Sequence, residues 1–237
     1  MARAMAEQTK DREDAMADAP RGRGRPQARS DEETRAIIFD AARAEFAATG
    51  YAATSMEQVA KRAGVSTKTL YRLIPNKAAL FEAMVTDRIA GFVSRVRLRA
   101  CEGGSDIEAA LADALTACGE LMLDGDVIAL QRVILADTDK FPEVAETFYH
   151  KAITPTQNAL AGWLRTQEKR GLVRVGDADV TAGMLLGMLA LQPLRAVMFG
   201  HIAPPSREDI AARAKGCAAL FLRGCGRGKD ADSTTAK

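Results

Sequence analysis

Residues Thr54–Lys77, TSMEQVAKRAGVSTKTLYRLIPNK, decide the fold. They read as two short helices joined by a tight turn at Ala63-Gly64-Val65. Thr54 and Ser55 both suit an N-cap, where a side-chain oxygen accepts from a free amide of the first turn. Two capping boxes are open, Thr54 with Glu57 or Ser55 with Gln58, and the residues do not choose between them. Met56, Val59, Ala60 and Ala63 then recur at helical spacing as one apolar stripe. Gly64 suits the left-handed position that ends a helix without a Cβ penalty. A second helix starts from Ser66. Leu70 and Ile74 share its inner face, with Thr67 at the margin. Lys68 and Arg72 point away from that face, flanked by Thr69 and Tyr71. Pro75 stops the helix, Asn76 can cap the next, and Lys77 falls in that helix's first turn, where the macrodipole prefers an anion.

A helix-turn-helix of this kind places one helix end in the major groove of DNA. Lys and Arg on an isolated helix are ordinary solvated surface. Here the same face carries short hydroxyls at the end where free amides and a partial positive charge suit phosphate. The segment Thr34–Met84 resembles the DNA-binding domain of TetR-type transcriptional regulators. The resemblance runs through Gly50-Tyr51, Thr54-Ser55, Val59-Ala60, Ala63-Gly64-Val65-Ser66, Leu70-Tyr71, Pro75, Lys77 and Leu80. It departs at Ile74, where the family usually has an aromatic, and at Lys68, where it often has Gly. The resemblance implies that Thr54 or Ser55, Ser66, Tyr71 and Lys77 hold phosphates. It also implies that Thr67, Lys68, Thr69 and Arg72 lie near base edges, which carry sequence information where phosphates carry register. For Tyr71, a half-buried ring with its hydroxyl in water is the competing role.

Composition agrees with an all-α protein of about nine to ten helices. Hydrophobic residues make up 47% and aromatics 5%, and no strand-like alternation persists for long. Net charge is only +2, but it is unevenly placed. From Pro20 to Lys77, 11 Lys/Arg stand against 6 Asp/Glu; from Ala78 to Lys237, 19 stand against 20. Positive charge therefore gathers where DNA attachment needs it. Residues 1–29 are expected to be a disordered basic arm. Within it, Arg21-Gly22-Arg23-Gly24-Arg25-Pro26 resembles an AT-hook, which would set Arg23 and Arg25 in a narrow minor groove. A solubilising arm with loose phosphate contacts is the alternative. Cys101, Cys118, Cys217 and Cys225 show no paired spacing and read as reduced thiols in a cytoplasmic protein. His150 and His201 have no metal-ligand spacing, so no metal and no cofactor are expected. The apolar run Gly183–Leu191 is too short to span a bilayer, so no membrane is expected.

The reading head is expected over residues 30–92 (motif 55–74), a helical ligand-binding and dimerisation domain over 93–223, and a disordered tail over 224–237. Ser30 or Asp31 caps the first folded helix. Ile37, Ile38, Ala41, Ala42 and Phe46 form its inner stripe, and Gly50 ends it. A long helix follows from about Asn76 to Arg99, and further helices run to Leu222, one of them capped by Thr154. Val133–Leu164 resembles the regulatory domain of the multidrug-efflux and AefR-like TetR subgroup. Met122, Gln131, Phe141, Phe148, Tyr149, Trp163, Met184 and Met188 are candidates to line an effector pocket for a small, apolar molecule, since Met adapts to varied ligands and bundle pockets are mostly apolar; plain core packing explains them equally. Arg132, beside Gln131, could add a polar contact there. The helix over 177–199 is apolar nearly all round and needs cover on both sides. With 206–223 it would form a four-helix bundle in a homodimer, with Gly183 and Gly187 allowing close approach. The expected function is a repressor released from a palindromic double-stranded DNA operator by a small-molecule effector, with no catalytic residues. A helical ligand-binding protein or enzyme with a vestigial helix-turn-helix is the alternative.

Overall fold

The computed structural model describes residues 29–102 and 106–225. Every regular element among them is helical. Helix α1 (Asp31–Ala53) opens on a capping box in which Ser30 Oγ accepts from Glu33 N and Glu33 Oε2 accepts from Ser30 N. It is broken at Gly50, whose φ of 87° belongs to the left-handed side and ends the regular helix as expected. Helix α2 (Met56–Ala63) and helix α3 (Thr67–Leu73) make the helix-turn-helix, and Gly64 between them has φ 65°. Asn76 Oδ1 accepts from Ala79 N at the start of α4 (Lys77–Glu102).

Beyond the head lie α5 (Ile107–Met122), α6 (Gly125–Asp137), α7 (Pro142–Phe148), α8 (Thr154–Lys169), α9 (Ala178–Met198) and α10 (Arg207–Cys225). Asp106, Asp124 and Asp177 each accept two amides at the start of α5, α6 and α9. Thr154 does not cap α8. A π-helical turn, Tyr149–Ile153, joins α7 to α8 with helical dihedrals throughout, so no free helix end exists there to cap. The helix start expected at Thr154 thus lies inside a continuous helical run with one widened turn.

The described residues from 35 onward form one compact unit. Within it the main core runs from Ile38, Phe46 and Leu70 of the head through Phe81 and Phe92 of α4 to Leu115, Leu160 and Leu185 of the larger half, and a smaller cluster holds Leu123, Ala190 and Ile210. Two cations donate to main-chain carbonyls of α9. Pro193 lies inside α9 and has no N–H for the carbonyl of Leu189 four residues earlier. Arg213 of α10 fills that gap: its Nε donates to Leu189 O at 2.5 Å and its NH2 donates to Met188 O at 3.0 Å. Arg132 donates to Val197 O near the end of α9, at 3.0 Å, so its guanidinium serves a helix terminus.

Candidate nucleic-acid interface and ligand cavity

The structure chooses between the two caps of α2. Ser55 Oγ accepts from Gln58 N at 3.2 Å and Gln58 Oε1 accepts from Ser55 N at 2.7 Å, a complete capping box. Thr54 is only 3% exposed; its hydroxyl donates to Gly50 O and contacts Thr49 Oγ1. It closes the break between α1 and α2 and is too deep to reach a phosphate, which corrects the expectation for that residue.

Lys77 is also redirected. Its ammonium donates to Tyr51 O at 2.8 Å, Thr54 O at 3.0 Å and Ala52 O at 3.2 Å, and lies 4.6 Å from the centre of the Tyr51 ring. All three donors are used on the carbonyls that end α1, where a cation suits the dipole. In the protein alone, the mismatch at the start of α4 is resolved by the carbonyls that follow the break in α1. The Tyr51 ring in turn meets Phe46, Phe81 and Phe141, so the head's locking residue touches the turn before α7. Burial, then the nearby Glu143 carboxylate, push its phenol up from the usual tyrosine range.

Ser66 caps α3 by accepting from Thr69 N at 3.0 Å, and its hydroxyl also pairs with that of Thr69. Ser66, Thr67, Lys68 and Arg72 are exposed on one side of the motif, while Leu70 and Ile74 face the core. Ile74 is buried where the resemblance led one to expect an aromatic, and it packs as core. Tyr71 is exposed, and its hydroxyl donates to Glu57 Oε1 on α2 at 3.2 Å. Glu57's own backbone amide, then this hydroxyl, hold its carboxyl below the usual range. Sequence reasoning missed Glu57 because an acid in a first helical turn is ordinary capping chemistry. Arg23 and Arg25 lie outside the described residues.

A cavity of about 340 Å³ opens where α1, α4, α5, α6, α8 and α9 converge with the π-helical turn. Of the eight expected lining residues, Met122, Gln131 and Phe148 are there. The other five are not. Phe141 packs against Tyr51, Trp163 is core at 2% exposure, and Tyr149, Met184 and Met188 face outward. Helical phase explains the error on α9: Gly183, Leu186, Gly187 and Ala190 face the cavity, and Met184 and Met188 fall one residue later on the other face. Both glycines line the cavity: a Cβ on Gly187 would meet nothing within 4 Å, whereas one on Gly183 would touch the Gln157 amide of α8 at 3.5 Å. Arg43 and Arg88 also line the cavity and were missed. Arg88 carried a signal, a lone cation between Met84 and Phe92 on the buried stripe of α4.

A helix-turn-helix whose outer face bears hydroxyls and cations, carried on a helical body with an apolar cavity, defines a DNA-binding regulator. The comparisons agree. Residues 38–84 match the N-terminal domain described as bacterial regulatory proteins, tetR family. Residues 109–226 match the C-terminal domain of AefR-like transcriptional repressors. The chain belongs to the TetR family of transcriptional regulators. Helix-turn-helix regulators of Mycobacterium bovis and Mycobacterium tuberculosis are 27% identical over 136 residues, a match that spans 56% of this chain and 65% of each relative. A TetR-family regulator from Mesorhizobium loti superposes with TM-score 0.71 at 25% identity, covering 84% of this chain and 99% of that one. The flavonoid-responsive regulator FrrA gives TM-score 0.60 at 25% identity over 83% of this chain and 100% of its own. FadR of Bacillus subtilis, solved with stearoyl-CoA, shares the fold with TM-score 0.64 at 20% identity, over 80% and 98% of the two chains.

Proposed function

We propose that this TetR-family regulator is a repressor that grips a near-palindromic operator as a twofold dimer and releases it when a small molecule enters the cavity. One observation carries the reading: the cavity is walled by the same helices that hold the head. Arg43 comes from α1, and Met84, Val85, Arg88 and Ile89 come from α4, which leads directly out of the helix-turn-helix. A ligand that prefers one arrangement of these helices must shift the other, with a coupling of about 1–3 kcal/mol typical of such pairs. Ser55, Ser66 and Tyr71 would hold phosphates; Thr67, Lys68, Thr69 and Arg72 would meet base edges.

Dimerisation is supported by an exposed apolar stripe on α9, Val180, Met184, Met188 and Leu191, and by Leu220 on α10. Met184 is the most exposed of these on α9, at 69%. By its mean hydropathy and length α9 could also cross a bilayer, but part of it is buried in the protein and an interface between copies accounts for the rest. FrrA is described as answering to flavonoids; an apolar effector of similar size class suits a cavity at the low end of the usual range of about 300–1,000 Å³.

Selection of bound duplexes from a random library, using the full chain, tests the reading. The expected product is an inverted repeat with half-sites about 34–36 Å apart or a near variant of that spacing. Enrichment of an unsymmetrical sequence, or none at low salt, overturns it.

A further inference from the structure

We propose that the cavity takes an amphipathic carboxylate, a small molecule with an apolar body whose anionic group is held by Arg88 of α4 and Arg43 of α1; this rests on the cavity being the effector site. The walls are mostly apolar side chains, so the body of the ligand is fixed as apolar. The two arginines are what an apolar ligand does not explain. Arg88 sits in the buried stripe of α4, and one of its terminal nitrogens lies 3.0 Å from Asp124 Oδ1. That oxygen already accepts from the amides of Asp126 and Val127 at the start of α6, so its charge is shared three ways. The Arg88 Nε is buried and has no acceptor. Arg43 is mostly covered, and its ion-pair partner Asp40, 3.1 Å away on the same helix, is 72% exposed and spends much of its charge on water.

Both guanidiniums are thus incompletely neutralised beside a weakly polar space. The acid on the lining, Asp126, is exposed. Among the charged residues that line the cavity, two cations stand against one solvated carboxylate, while their partners Asp40 and Asp124 lie off the lining; the wall itself therefore favours an anion. A guanidinium fork matches a carboxylate with two parallel donors, which a Lys in the same place would not do. Arg43 belongs to the first helix of the reading head and Arg88 to the helix leaving it. A carboxylate held by both would therefore tie the head's position directly to occupancy.

Isothermal calorimetry on the intact protein, without DNA, tests this with matched pairs: decanoate against 1-decanol, and 4-butylbenzoate against 4-butylbenzyl alcohol. In at least one pair the acid should bind about tenfold more tightly than its alcohol, the worth of a charge-assisted contact. Arg88→Gln should bring that ratio close to one, Arg43→Gln should reduce it, and Asp126→Asn should widen it. Should Arg88→Gln fail to fold, because it also ties α4 to α6, Arg43→Gln and Asp126→Asn carry the test. Acids and alcohols that bind alike in both pairs, no binding by either acid, or a ratio unmoved by Arg43→Gln and Asp126→Asn would overturn the proposal. A carboxylate that binds as expected yet never releases operator would leave this site standing and sink the release mechanism alone.

Discussion

Lys77 and Arg213 do the same chemical job in two halves of the molecule, and the contrast separates geometry from stability. Each is a cation donating to main-chain carbonyls, among them Leu189 O, which Pro193 leaves without its helical donor. Lys77 works at a helix end, where the carbonyls of Tyr51, Ala52 and Thr54 splay toward one point. Those carbonyls can turn to water if the lysine is lost, but the angle between α1, α2 and α4 is then no longer held. Arg213 works in mid-helix, where Pro193 leaves Leu189 O facing α10. Its loss leaves the partly covered Leu189 O without a donor from its own helix, yet nothing that reads DNA depends directly on its position.

The largest effect is therefore expected on the head. Lys77→Ala should weaken operator binding by about tenfold or more, the scale of a lost charged hydrogen bond, while leaving the slope of affinity against salt unchanged. A slope flattened by about one would return Lys77 to a phosphate. Next comes the body: Arg213→Ala should cost about 1–3 kcal/mol by urea unfolding, the usual penalty of an orphaned buried acceptor. In a Pro193→Ala background the same change should cost clearly less, because the alanine that replaces proline supplies the missing N–H; equal costs in both backgrounds would refute the repair. Thr54→Val should cost about 1 kcal/mol, since the buried hydroxyl loses Gly50 O, and should leave salt dependence alone. Smallest is Gly187→Ala, expected to raise stability by about 0.5–1 kcal/mol, because helical glycine is unfavourable and the added methyl meets open space. A fall in melting temperature would show the cavity wall to be tighter than described.

The head was legible because its local signals are short-range and redundant. Caps at Ser66 and Asn76, a left-handed Gly64, a stop at Pro75 and an inner stripe of Val59, Leu70 and Ile74 all depend on neighbours within a few positions. Lys77 escaped the same reading because its partners lie more than twenty residues away. The cavity was less legible for a related reason. Large or sulfur-bearing side chains mark apolar surface without saying which way it faces, and α9 is apolar nearly all round. One position of helical phase separates Gly187, which faces the cavity, from Met188, which faces out. Gly187, read as a close-approach site, was the better cue to empty space.

Helix α4 has a further consequence. Its 26 residues make a rod of about 39 Å at 1.5 Å per residue. Arg88 and Ile89 meet the cavity near its middle, and Lys77 anchors the head at one end. Over the half-length of about 20 Å, a tilt of roughly 5° would displace the anchored end by about 2 Å. In a twofold pair the two ends would swing together, so a pivot too slight to disturb the core can misalign both reading helices against neighbouring grooves.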